Sequence, residues 1–109
     1  MQNPSKFASF PFAASCEISA SEWPNTKVKA RTTTLSHHGC GIDASLPFAG
    51  GAVVLLSIQR DNERFTCVAT IVHSITGYGA SVQFQFTLEE HRARLHRWLA
   101  ELAEVEVAD

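Results

Sequence analysis

Charge is scarce in this 109-residue chain: Lys and Arg number 9, Asp and Glu 11, so charged residues make up 18% and the net charge is −2. So even a balance excludes a global field that would draw the protein onto nucleic acid or anionic lipid, and any anion it binds must be held by a local cluster of positive groups. Cysteine is sparse too. Cys16, Cys40 and Cys67 stand far apart and form no C-x-x-C pair, which excludes a zinc knuckle and a thioredoxin-like centre. Cys40 and Cys67 sit inside apolar runs, where a free thiol acts as a small buried hydrophobe, and a reducing, cytoplasmic setting is the simplest expectation. No apolar run approaches the ~20 residues of a membrane-spanning helix, so no membrane insertion is expected. The faintly apolar stretch 7–14 ahead of Ser15-Cys16 is too short for a signal peptide and is interrupted by Pro11.

What the chain does hold is apolar substance, 45% of its residues. A chain of this length forms one domain and buries roughly two-thirds of the surface its unfolded form exposes. Residues 1–12, with Pro4, Pro11 and three phenylalanines, read as an extended arm whose aromatics tuck against the rest. The domain proper is expected over 13–109. Residues 14–20 alternate as a first strand, with a turn at 22–25. Along 27–35, Val28, Ala30 and Thr32 fall on one face and Lys27, Lys29 and Arg31 on the other, the pattern of a half-buried strand with a basic outer side. Ser36-His37-His38-Gly39 forms a turn, and Cys40 and Ile42 lie on a short third strand. The runs 52–58 and 65–72, separated by Asp61-Asn62, supply two buried strands rich in branched residues. After Gly77-Tyr78-Gly79, Val82, Phe84 and Phe86 alternate with polar partners.

At Thr87 the period changes. Thr87 and Glu90 have the spacing of a capping box, and Leu88, His91, Leu95, Trp98, Leu99 and Leu102 recur at helical intervals. Six short strands followed by one amphipathic helix predict an all-β fold, a six-stranded antiparallel barrel or sandwich closed by a C-terminal helix.

Several side-chain groupings suggest chemistry, and most have a plainer reading. His37-His38-x-Cys40 resembles a ligand set, yet neighbouring residues on a turn or strand diverge, and His73 and His91 would have to join through the fold; no metal or other cofactor is expected. Cys40 and Ser36 lack any motif that places a base beside them, so no enzyme is expected. The basic strand face would suit single-stranded nucleic acid on an unrelated small barrel, but edge lysines on a solvated strand are the commoner arrangement and nucleic acid is the weaker alternative.

The order of motifs along the chain is more specific. Thr34-Leu35-Ser36-His37-His38-Gly39-Cys40-Gly41-Ile42 precedes Leu46-Pro47-Phe48-x-Gly50, then Gly77-x-Gly79-x-x-Val82-x-Phe84 and a helix with Leu95-x-x-Trp98-Leu99. This succession resembles the PilZ family of bacterial signalling domains over nearly the whole chain. The resemblance implies a six-stranded antiparallel barrel with a C-terminal helix, cyclic di-GMP as ligand, and, in some members, protein contacts in pilus, motility or biofilm control. The family's Asp/Asn-x-Ser-x-x-Gly motif corresponds to Thr34, Ser36 and Gly39, with Thr34 in place of the acid or amide. Its Arg-x-x-x-Arg motif falls on Ser5-Lys6-Phe7-Ala8-Ser9, so Ser5 and Ser9 stand where both arginines belong, and Lys6 is one position out of register. Lys29 and Arg31 are further candidate cations. A hydrogen bond from a charged group contributes about 1.5–3 kcal/mol, so two lost arginines imply an affinity weaker by roughly a hundred- to ten-thousand-fold. Weakened or lost nucleotide binding, with a protein as the effective partner, is therefore the expectation.

Overall fold

The computed structural model describes residues 9–20, 23–75 and 77–107. Seven strands and one helix follow in order: β1 (Phe10–Pro11), β2 (Ser15–Ala20), β3 (Trp23–Leu35), β4 (Gly39–Ile42), β5 (Val53–Arg60), β6 (Glu63–Ile75), β7 (Gly79–Phe86) and α1 (Glu89–Val107). Neighbouring strands pair in the order β3, β2, β5, β6, β7, β4, and β4 returns to β3, so six antiparallel strands close into a barrel. β1 is a short seventh strand beside the end of β3, with Phe10 opposite Leu35. Closure leaves no open edge along the six strands, and register shifts in β3 and β6 supply the bends that closing so small a barrel requires.

Alternation decides which side chains face inward. On β2, Cys16, Ile18 and Ala20 are buried, and on β5, Val54, Leu56 and Ile58 meet Phe65, Cys67 and Ala69 of β6. All three cysteines are free and buried, as small hydrophobes in this core. Burial pushes the Cys16 thiol up to about 11 and Cys67 to about 12, and raises Cys40 as well. The basic side of β3 also lies as its pattern predicts, with Lys27, Lys29 and Arg31 exposed and Thr32 buried. Of the turn expected at 22–25, residues 23–25 belong to β3 instead, with Trp23 opposite Ala20, and residue 22 lies outside the described residues.

Thr32 is a buried polar residue and earns its place by joining β1 to β2. These two strands run along the same side of β3 with one extra residue between them, Pro11 pairing with Thr34 but Ser15 with Arg31. The Thr32 hydroxyl occupies that irregularity, accepting from the Ala14 amide at 3.0 Å and donating to the Phe12 carbonyl at 2.5 Å. Where β7 begins beside β4, Gly79 has φ 115°, and a Cβ there would run into the Ile42 carbonyl, so only glycine fits between the two strands.

α1 covers one barrel end through Leu95, Trp98 and Leu99, all buried. The Trp98 ring lies between Phe12 (5.8 Å between centroids) and Phe65 (6.4 Å), and its Nε1 donates to Glu63 Oε1 at 2.9 Å. Two details depart from the helical pattern. The helix begins at Glu89 and its first intrahelical bond is accepted by the Leu88 carbonyl from the Arg92 amide at 2.9 Å, so the cap falls one residue later than Thr87. Leu88 is not on the buried stripe; it precedes the helix and is 57% exposed. Among the described residues, no helix is long and apolar enough to cross a membrane.

Candidate functional site

The turn between β3 and β4 carries the Ser-x-x-Gly sequence and builds itself from those two residues. The Ser36 amide donates to the Gly39 carbonyl at 2.9 Å, closing the hairpin. The Ser36 hydroxyl accepts from the amides of His38 and Gly39, each at 3.2 Å, and donates to the Gly39 carbonyl, also at 3.2 Å. A hydroxyl has one proton and two lone pairs, so all of its bonding capacity is used inside the turn. Gly39 is required for a different reason: β4 lies so close to β7 that a Cβ would strike the Val82 carbonyl. Thr34 is committed as well, its hydroxyl accepting from the Gly41 amide at 3.2 Å across the β3–β4 pair.

Beside this turn is an open hollow of about 280 Å³, lined by Ser9, Thr34, Ser36, His38, Gly39 and Ser81 among others. Of the seven residues singled out for ligand contact, the structure therefore gathers Ser9, Thr34, Ser36 and Gly39. Arg31 is not among the lining residues. It projects into solvent from the outer side of β3, opposite Ser15, as Lys29 does opposite Glu17. Its backbone is tied to Asp43, whose carboxylate accepts from the Arg31 amide at 3.1 Å. Ser5 and Lys6 lie outside the described residues. No Lys or Arg lines the hollow among the described residues, so its electrostatics are set by backbone amides, hydroxyls and His38.

A second hollow, about 310 Å³, opens on the other flank of the turn, between it and α1. His37, His38, Arg92 and His96 line it together with Phe84 and Leu95. His37 and His96 are in ring contact, their centroids 5.1 Å apart and their planes at 62°. Burial, reinforced by His96 and then His38, holds the His37 imidazole below its ordinary value. Sequence reading missed His96 because nothing along the chain links it to the turn; only helix docking does. The groups considered from sequence are dispersed: Cys40 faces the core, His91 Nδ1 accepts from the Thr66 amide at 3.1 Å, and His73 lies on β6 beside Ser81.

Comparison with known proteins agrees with this geometry. A family model described as PilZ domain matches residues 5–101. Among solved structures, the PilZ domain of CeSA from a cellulose-synthesizing bacterium superposes with a TM-score of 0.73 at 17% identity, covering 88% of this chain and 98% of that one. The Bacillus subtilis inhibitor of motility MotI/DgrA superposes with a TM-score of 0.77 at 11% identity, covering 100% of this chain and 55% of the other, so this chain spans about half of that protein. No curated protein matches at a significant level. The family match displaces the alternative of an unrelated barrel for single-stranded nucleic acid.

Proposed function

This chain belongs to the PilZ domain family, a family of cyclic di-GMP receptors, and from that premise we propose that it is a non-enzymatic bacterial regulatory domain, cytoplasmic, in which nucleotide binding is weakened or lost and protein contacts carry the signal. The observation that carries this reading is the chemistry of the hollow beside Ser36. Cyclic di-GMP brings two phosphates and two guanines. A strong site for it needs fixed cations that pair with the phosphates and planar groups that stack on the bases. Here the described lining offers neither Lys nor Arg, and the hydroxyls of Ser36 and Thr34 are already engaged by their own hairpin. Serines at positions 5 and 9 add no charge. Lys6 is the cation of the arm and supplies at most a point charge without a stacking plane.

Support for protein contact comes from the outer surface. Leu55 (49% exposed) pairs with Val68, which pairs with Phe86 (61% exposed), so apolar side chains from β5, β6 and β7 are neighbours on the wet side of the barrel. The regulators with this fold include an inhibitor of motility.

Isothermal titration with cyclic di-GMP at low salt tests the reading. The expected result is no saturable heat at micromolar ligand, and binding gained or strengthened by roughly a hundred-fold or more in the double variant Ser5→Arg/Ser9→Arg. Micromolar binding by the unaltered protein would overturn the claim that nucleotide affinity is weakened. No gain in the double variant would show that 5–9 is not the arginine-motif register.

A further inference from the structure

We propose that this chain pairs with a second copy of itself through the outward face of β5, β6 and β7, in a two-fold arrangement that lays sheet on sheet. The inference rests on the reading that this face makes protein contacts, and it names the protein. Charge is segregated along the chain. Residues 44–59 and 65–88 hold no Asp, Glu, Lys or Arg, and they build nearly all of β5 and β6 and the whole of β7. An outward sheet face in water carries polar side chains, and β3 has them in Lys27, Lys29 and Arg31. On the neutral strands, Val53, Leu55, Val72 and Phe86 point outward instead, each about half exposed or more, with uncharged side chains such as Thr70 and Gln83 among them. Aliphatic and aromatic side chains with charge excluded from around them are the composition of an interface centre. With Leu88 just beyond Phe86, these residues expose on the order of 500 Å², so two such faces bury about 1,000 Å² before the polar positions are counted, the lower limit of a specific interface.

The order of charge across the face favours a second copy over a different protein. Strand pairing sets Lys27, Ser19, Leu55, Val68 and Phe86 in one row across β3, β2, β5, β6 and β7. The row is basic at its β3 end. At its β7 end Glu89 and Glu90, both exposed, follow Phe86 by three and four residues in the first turn of α1. A two-fold axis running along the strands through Val68 reverses this row onto itself. Leu55 of one copy then meets Phe86 of the other, Val68 meets Val68, and Lys27 is brought toward the acidic first turn of the other helix. The neighbouring charges leave this arrangement open. Glu17 is 4.0 Å from Lys27 with both side chains in water, and the Arg92 guanidinium is directed to the Thr87 carbonyl oxygen at 3.2 Å. Arg64 lies four residues from Val68 along β6, outside the apolar row, and its Nε is turned aside to Gln59 at 3.1 Å.

Sedimentation equilibrium of the full chain without nucleotide tests the pairing. A monomer–dimer equilibrium is expected, with a dissociation constant of roughly 10–100 µM for an interface of this size. Leu55→Glu and Phe86→Ser should each weaken it by about ten-fold or more, and Lys27→Glu by about three-fold or more. Tyr78→Ser, which removes an exposed aromatic at the β6–β7 hairpin, should leave it unchanged. All four positions are at the surface, and thermal unfolding verifies that the variants remain folded. Independently of any variant, the Leu55 and Val68 methyl resonances of the unaltered chain should shift over the same concentration range. A monomer up to ~1 mM, a stoichiometry other than two, or association undiminished in any of the first three variants overturns the pairing. Because no nucleotide is present, such a result removes the second copy alone, and the weakened affinity for cyclic di-GMP stands or falls on its own titration.

Discussion

Thr32 shows how one residue can look ordinary in sequence and be decisive in the fold. Alternation along β3 places it inward beside Val28 and Ala30, but a hydroxyl in a core is a cost unless both neighbours need it. They do: its two bonds satisfy the Ala14 amide and the Phe12 carbonyl where β1 and β2 fall out of register. Thr32→Val, which keeps the shape, should therefore destabilise by about 1–3 kcal/mol, and Thr32→Ser should restore part of it, as read by denaturant unfolding. Glu63 is the other residue whose role is invisible along the chain. The Trp98 indole N–H, then Arg97, hold its carboxyl below the ordinary range. A depressed carboxylate contributes stability that is complete above its unfolded value and is lost as pH falls through the folded one. The melting-temperature gap between the natural protein and Glu63→Gln should thus be steady at neutral pH and close below about pH 4.3. A gap unchanged at pH 3 would refute the linkage.

At the level of elements, strands were more legible than the joints between them. Period-two alternation is a property of consecutive residues, so β2, β5 and β7 are readable directly from Cys16–Ala20, Val54–Ile58 and Val82–Phe86. The helix was readable for the same reason, through Leu95, Trp98 and Leu99. Its start was not. Where β7 leaves the barrel at Phe86 decides that the helix starts at Glu89, without a Thr87–Glu90 cap, and that Leu88 is exposed. Helix docking itself rests on Trp98, which has no exposed surface and packs on Phe12 and Phe65. Trp98→Ala should cost about 3–5 kcal/mol and release α1 from the barrel, visible as a loss of thermal stability together with faster hydrogen exchange along the helix. Unaltered stability would contradict this packing. The ion pairs at the same joint, Arg60–Glu101 and Arg97–Glu63, are solvent-facing and secondary.

For the molecule as a whole, closure is the controlling fact. Because six strands return upon themselves, the interior is one cluster to which every element contributes, and opening any seam exposes the rest. The three cysteines report on this. Their thiols are buried and raised, Cys16 and Cys67 to about 11 and about 12, so little thiolate exists at pH 8. Thiol reagents should leave the native protein almost untouched and label all three sites together in denaturant. Labelling of one cysteine well ahead of the others would reveal a locally open seam instead of a cooperative barrel.

The sequence by itself determined the six barrel strands, the helix and the Ser36–Gly39 turn, because each depends on residues a few positions apart, but not that Val53, Leu55, Val72 and Phe86 face outward. It also determined that no arginine precedes Arg31, since residue type needs no coordinates. Only the tertiary structure decided that Arg31 does not line the hollow beside Thr34, that the Ser36 hydroxyl is consumed within its own turn, and that His96 reaches His37. Those facts depend on closing a barrel and docking a helix, where partners distant in sequence are brought together by packing that no local pattern encodes.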